Sequence, residues 1–171
     1  MKGKNLALRL SVIGGILISS SVFASHGTIN FTGTVTETAC TVSSSTVAVA
    51  FGTIASSSFS AAGDVAAPTQ FDISLTDCPA SVTSATVKFD GTADSTNSNL
   101  LALGSSSTAA GLGVAIYDST GTLVPAATAS GSYTLATGSN SLDFVARLMS
   151  TSATITAGTV ATSTDFTIAY D

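Results

Sequence analysis

Tryptophan is absent, and charge is scarce: only 9% of the 171 residues are Asp, Glu, Lys or Arg. Five residues are basic, one is histidine and three are proline. Three of the five basic residues, Lys2, Lys4 and Arg9, crowd the N-terminus, leaving Lys88 and Arg147 for the rest of the chain. No basic patch can therefore hold a nucleic-acid backbone, whose recognition rests on clustered Lys and Arg. Attraction to an anionic membrane surface fails on the same ground. With two cysteines and one histidine, the chain falls short of the four Cys and His ligands typical of a structural zinc site. The lone His26 has no carboxylate or nucleophile at suitable spacing, so nothing marks a general base, and no enzyme chemistry is expected. No tryptophan is available as a stacking platform for sugar rings.

What is present begins with a leader-like segment. Lys2, Lys4 and Arg9 precede an apolar stretch from Leu10 to Ile18, and Val22-Phe23-Ala24 fits a small-x-small cleavage rule. The apolar stretch is too short, and too broken by Ser11, Gly14 and Gly15, to span a bilayer. Residues 1–24 are expected to be a cleaved signal peptide, and the chain to be exported. The remainder keeps Lys88 and Arg147 against all ten acidic residues, a side-chain balance of −8.

Export gives the cysteines a meaning. Cys40 and Cys78 allow one intramolecular pairing, and an even count in an exported chain implies a disulfide. Closing a loop of this length stabilises by about 3–4 kcal/mol in the chain-entropy picture.

Period-two alternation of apolar and polar residues marks strands over 28–36, 39–43, 46–51, 69–77, 84–90, 112–117, 122–124, 132–136, 141–149 and 163–170. Turn-forming stretches such as Ser60–Asp64 and Asp118–Gly121 separate them, and Asp90–Asn99 reads as a polar loop. Phe71, Ile73 and Leu75 share one face, with Asp72, Ser74 and Thr76 on the other. Leu142, Phe144, Ala146 and Leu148 form a second inward row, with Asp143 and Arg147 outward. No repeat or linker is visible after the leader. Many short strands at these intervals predict one all-β sandwich. Two alternating segments, Thr28–Thr36 and Asp165–Asp171, lie at opposite ends of the exported chain, and sheet edges of that kind invite assembly unless blunted. Ile29, Phe31 and Val35 could equally form a first strand of their own domain. Asn30-Phe31-Thr32 matches a glycosylation sequon, read here as coincidence.

Four segments, in order, resemble one family. Gly27-Thr28-Ile29-Asn30-Phe31-Thr32-Gly33-Thr34-Val35 followed by Cys40 is similar to an amino-terminal arm. Phe71-x-Ile73-x-Leu75-x-x-Cys78 is similar to a cysteine strand. Gly113-Val114-Ala115-Ile116-Tyr117-Asp118-x-x-Gly121 is similar to a mid-chain signature, and Phe166-Thr167-Ile168-Ala169-Tyr170-Asp171 to a terminal one. The family is the chaperone–usher pilins, in particular structural subunits of type 1-like fimbriae. Leu148 and Met149, where the family often has an aromatic, affect only local packing.

That resemblance implies an incomplete immunoglobulin-like β-sandwich that lacks its last strand and is completed by a donor strand from a neighbouring subunit. It divides the chain into residues 1–24 (leader), 25–36 (donor arm) and 37–171 (pilin domain). Ile29, Phe31, Gly33 and Val35 would be the donor row, Gly33 lying where the groove is too shallow for a side chain. Phe166, Ile168, Tyr170 and Asp171 would form the acceptor groove and the chaperone contact, with the carboxylate of Asp171 held by basic chaperone residues. The implied partners are copies of this chain or related pilins, a periplasmic chaperone and an outer-membrane usher, without nucleic acid or small-molecule cofactor. The implied place is a cell-surface fimbrium that contributes to adhesion. The alternative is a secreted or tip-located carbohydrate-binding β-sandwich module.

Overall fold

In a computed structural model, residues 29–33, 39–43 and 45–171 are described. They fall into two units, Met1–Thr34 and Val35–Asp171. In the first unit the described residues Ile29–Gly33 form no regular element. Val35, the leader and the rest of the arm lie outside the described residues.

The second unit is a two-layer β structure. Its strands are β1 (Thr41–Val42), β2 (Val65–Cys78), β3 (Ser84–Phe89), β4 (Leu101–Ala102), β5 (Leu112–Asp118), β6 (Leu123–Val124), β7 (Tyr133–Thr134), β8 (Gly138–Ser150) and β9 (Phe166–Tyr170). A single 3-10 turn, Ser56–Ser58, is the one helical element among the described residues. The larger sheet runs β1-β2-β8-β5-β4, with β6 also on β5; the smaller runs β7-β3-β9. All pairings are antiparallel.

The alternating rows explain how the layers meet. Ile73, Leu75, Leu142, Phe144, Ala146 and Leu148 are buried from the larger sheet, and Ala85, Val87 and Phe89 from the smaller. Phe144 sits at the junction: its ring stacks on Phe71 at 5.5 Å and meets Phe89 edge-on at 5.1 Å and Tyr133 at 5.4 Å. Large buried side chains of this kind stabilise by roughly 1.5–3 kcal/mol each. The Cys40–Cys78 disulfide fastens β1 to the end of β2, as the cysteine count implies.

Several strand bounds depart from the alternation. β2 begins at Val65, four residues before the expected start, by passing through an irregularity between Ala66 and Thr69. Leu101–Ala102 is a short strand that the sequence pattern does not flag. The 132–136 segment contracts to Tyr133–Thr134, and 163–170 to Phe166–Tyr170. Residues 46–51 keep the expected inward alternation at Val47, Val49 and Phe51 but join no ladder.

Asp143 and Arg147 lie on the outer side, yet they form no ion pair among the described residues, where Lys88–Asp90 is the single one. Arg147 instead places its guanidinium 5.0 Å from the centre of the Tyr117 ring, an attraction between cation and aromatic face. The charge is covered by an aromatic plane, because Tyr117 and Val145 are direct partners across the β5–β8 ladder and Arg147 lies on the same face two residues on.

Candidate functional site: an open groove beside the last strand

The smaller sheet ends at β9, which is paired on one side only. The register with β3 matches Phe89 with Phe166, Val87 with Ile168 and Ala85 with Tyr170. At the flanking positions the strands exchange hydrogen bonds: the Asp90 amide donates to the Asp165 carbonyl at 2.8 Å, and the Ser84 and Asp171 amides donate to each other's carbonyls at 3.0 Å. The residues between alternate, as an antiparallel ladder requires. Accordingly, the Val87 and Phe89 carbonyls accept from Ser130 and Ala127, on the far side of β3 from β9. The backbone N–H and C=O groups of Phe166, Ile168 and Tyr170 therefore point away from β3, into the open edge. Buried or half-buried backbone groups of this kind require partners.

Beside that edge lies a cleft of about 800 Å³. One rim is Val42, Val47, Val49 and Phe51; the other is residues 160–166, ending in Phe166. Its floor is the core itself: Phe71, Ile73, Phe89, Leu101, Val114, Ile116 and Ala146. The 45–51 segment runs along the cleft, which explains why its alternation finds no ladder: no strand among the described residues lies next to it there. The 160–164 rim is fixed by hydrogen bonds to the β4 region. The Gly104 amide donates to the Ala161 carbonyl at 2.8 Å, the Ser107 hydroxyl to the same carbonyl at 2.8 Å, and the Thr162 hydroxyl to the Ala102 carbonyl at 2.7 Å.

Chain direction across the groove follows from the connections. β2 ends at Cys78 and only five residues separate it from the start of β3 at Ser84, so the disulfide lies at the same end of the sandwich as Ser84 and Asp171. The segment from Cys40 to Phe51 leaves that end, and β9 arrives at it. The two rims thus run in opposite directions, leaving room between them for one extended segment that can pair with β9.

Of the terminal residues singled out from sequence, Phe166 lines the cleft. Ile168 and Tyr170 are half-buried against the core further along the same edge. Burial raises the Tyr170 hydroxyl above its usual pKa. Asp171 is exposed, and its carbonyl oxygen accepts from the Thr83 amide at 2.8 Å and the Ser84 amide at 3.0 Å. In the arm, Ile29 and Phe31 are 77% and 90% exposed, the largest exposures of any big apolar residues described. A side chain built on Gly33 would meet nothing within 4 Å, so no packing among the described residues demands glycine there. Val49, Phe51, Val114 and Ile116 escaped the sequence reading as groove residues. Their alternation marks them as inward, but nothing local says that the strand covering them is missing.

The chemistry of the groove suits a peptide. A small-molecule pocket adds a few convergent polar groups to apolar walls. Here the floor is apolar side chains, the rims add Ser45, Thr46 and the 162–165 side chains, and beside them runs the row of β9 backbone donors and acceptors that no described residue meets. No cluster of metal-ligating side chains occurs among the described residues.

Comparison with known proteins agrees. The family model described as Fimbrial protein matches residues 29–171. A probable major fimbrial subunit of Escherichia coli O157:H7 is 35% identical over 162 residues, spanning 91% of each chain. Among solved structures, an antigen and type I fimbria protein of Burkholderia pseudomallei superposes with a TM-score of 0.58 at 31% identity, covering 78% of this chain and 88% of that one. A subunit from the structure of a chaperone–usher pilus superposes with a TM-score of 0.66 at 21% identity, covering 90% of this chain and 100% of that one, a likeness of fold. The sandwich with its open edge is thus the immunoglobulin-like fold of pilus subunits, and the chain belongs to the fimbrial protein family as a structural subunit of a bacterial surface fimbria.

Proposed function

We propose that this subunit polymerises non-covalently by lending its arm, Gly27–Thr36, to the groove of a neighbouring subunit. The observation that carries the reading is the β9 edge, where three alternate residues, Phe166, Ile168 and Tyr170, turn their backbone groups away from β3 beside a cleft floored by core side chains. An added strand supplies both missing parts: backbone hydrogen bonds to β9 and alternate apolar side chains for the cleft. Ile29, Phe31 and Val35 are the inserted row, with Gly33 at a shallow point of the groove. The exposure of Ile29 and Phe31 supports this, since apolar side chains of that size rarely stay in water unpartnered when they share a face.

Before assembly the same groove needs a temporary occupant. We assign that role to a strand of a periplasmic chaperone, which also takes the Asp171 end, with an outer-membrane usher adding subunits in turn. Residues 1–24 serve as the cleaved export signal, and residues 37–171 as the domain that receives the strand. The assembled fimbria contributes to adhesion by extending from the surface. A sugar-binding reading gains no support from a groove whose floor is aliphatic and phenyl and whose polar side chains are confined to the rims.

The deciding experiment is thermal melting of the oxidised chain lacking Ser25–Thr36 and the leader, with and without a synthetic Gly27–Thr36 peptide. The peptide should raise the melting temperature strongly, and a peptide carrying Phe31→Asp should not. A truncated chain that is already stable and ignores the peptide would overturn the reading.

A further inference from the structure

The molecule has a second long sheet edge, and it is interrupted. β2 pairs with β8 along its length but meets β1 only at Leu75 and Thr76. The Ser43 amide donates to the Ser74 carbonyl at 2.9 Å, which fixes the even-numbered residues of this part of β2 as those whose backbone groups face away from β8. Continuing from there, Asp72 and Gln70 direct theirs toward an edge that no described backbone group meets.

Near the start of β2, toward the far end of that edge, stands Ala67-Pro68. Ala66 pairs with Leu148 and Thr69 with Ala146, so β2 carries one residue more than β8 over this interval, a bulge. Ala67 takes φ +54°, a left-handed backbone that a non-glycine residue rarely adopts and that a following proline further disfavours. The ladder on both sides holds it there. The Ala67 carbonyl accepts from the Thr69 hydroxyl at 3.2 Å, and Pro68 has no N–H to give. One acceptor is thus occupied, one donor removed and the strand bent at a single place. Asp72 adds an exposed acid. These are recognised means of blunting an edge, and β9 has none of them between Phe166 and Tyr170.

We propose that Ala67-Pro68 is a gatekeeper that prevents strand addition at β2 from a second copy of this chain, so that addition is confined to β9. The choice of β9 rests on the reading given above; the blunting of β2 stands on its own geometry. A subunit that polymerises through exposed edges has to keep its other long edge closed, or chains would branch and clump laterally.

The test uses the chain with Phe31→Asp, which disables its own arm, and excess wild-type Gly27–Thr36 peptide to fill the groove. Self-association is followed by sedimentation velocity for three forms: Pro68 intact, Pro68→Ala, and deletion of Pro68. Both changes should raise the associated fraction several-fold, the deletion more, because it also straightens the strand. Adding Gln70→Pro should return either variant toward the parent, since it removes a donor from the free edge and none from the β8 ladder. If the variants keep native near-ultraviolet dichroism and stay as dispersed as the parent, the gatekeeper role is wrong. Should the deletion fail to fold, Pro68→Ala decides alone, because it keeps the chain length and restores the N–H. If the peptide fails to raise the melting temperature, the β9 reading falls, while the comparison among Pro68 variants still decides this one.

Discussion

Phe89 and Phe166 face each other across the β3–β9 ladder at a position where the two strands exchange no hydrogen bonds. The pairing does two things at once. It turns the Phe166 ring into the wall of the cleft and turns its N–H and C=O outward, to the edge where a further strand would bind. The same holds for Ile168 opposite Val87, and a register shift of one residue would exchange the groups facing the groove for those facing β3.

That register makes a sharp prediction. Ile168→Pro removes an N–H from the open edge while leaving the β3 ladder whole, whereas Thr167→Pro removes one from the ladder. Ile168→Pro should retain the oxidised fold and lose binding of the arm peptide by at least an order of magnitude, roughly 1.4 kcal/mol or more. Thr167→Pro should lose the fold itself. Circular dichroism and peptide titration distinguish the two; equal behaviour would show that the register plays no part.

The disulfide should be needed before assembly. The bond between Cys40 and Cys78 closes the base of the rim that runs from Val42 to Phe51. Replacing both cysteines by serine should cost about 2–5 kcal/mol. In chemical denaturation of the peptide-filled domain, the midpoint should fall accordingly. The reduced, unfilled domain should fail to refold.

Phe144 should dominate the core. It is 1% exposed and contacts three other rings. Phe144→Ala should destabilise by about 3–5 kcal/mol, as read by denaturant unfolding of the peptide-filled domain. Phe31→Ala in the peptide should leave the unfilled domain unchanged and reduce only the stabilisation gained on adding peptide.

Acid should weaken the sandwich through particular carboxylates. Burial pushes Asp118 up, but the Thr120 hydroxyl and the Thr122, Thr120 and Gly121 amides outweigh it and hold the carboxyl below its usual range. The amides of Ala61 and Ser60 and the Ser60 hydroxyl lower Asp64, while Lys88 and Thr167 lower Asp90. A group whose folded pKa is depressed stabilises above its unfolded pKa, and that contribution disappears as pH falls through the folded value. Stability should therefore decline as pH drops below about 4. Asp118→Asn should flatten that decline, because its amide oxygen does not titrate; an unchanged slope in melting temperature against pH would exclude Asp118 as a contributor.

Local chemistry fixed much of this protein in advance. The rows Phe71-Ile73-Leu75 and Leu142-Phe144-Ala146-Leu148 alternate because one face of each strand must leave water, and two cysteines in an exported chain leave one internal partner each. The all-β class, the bond between Cys40 and Cys78 and the inward sides of the main strands follow from those facts. The order of the strands does not. Whether Val47, Val49 and Phe51 gain a ladder partner depends on chain more than a hundred residues away in sequence. The same is true of which backbone groups of β9 stay free. The Ala67-Pro68 bulge and the seating of Arg147 on Tyr117 likewise arise from register between distant strands. Side-chain polarity is written residue by residue, but hydrogen-bond pairing at a sheet edge belongs to two strands at once, and only the tertiary structure decides which edge is left open and which is closed.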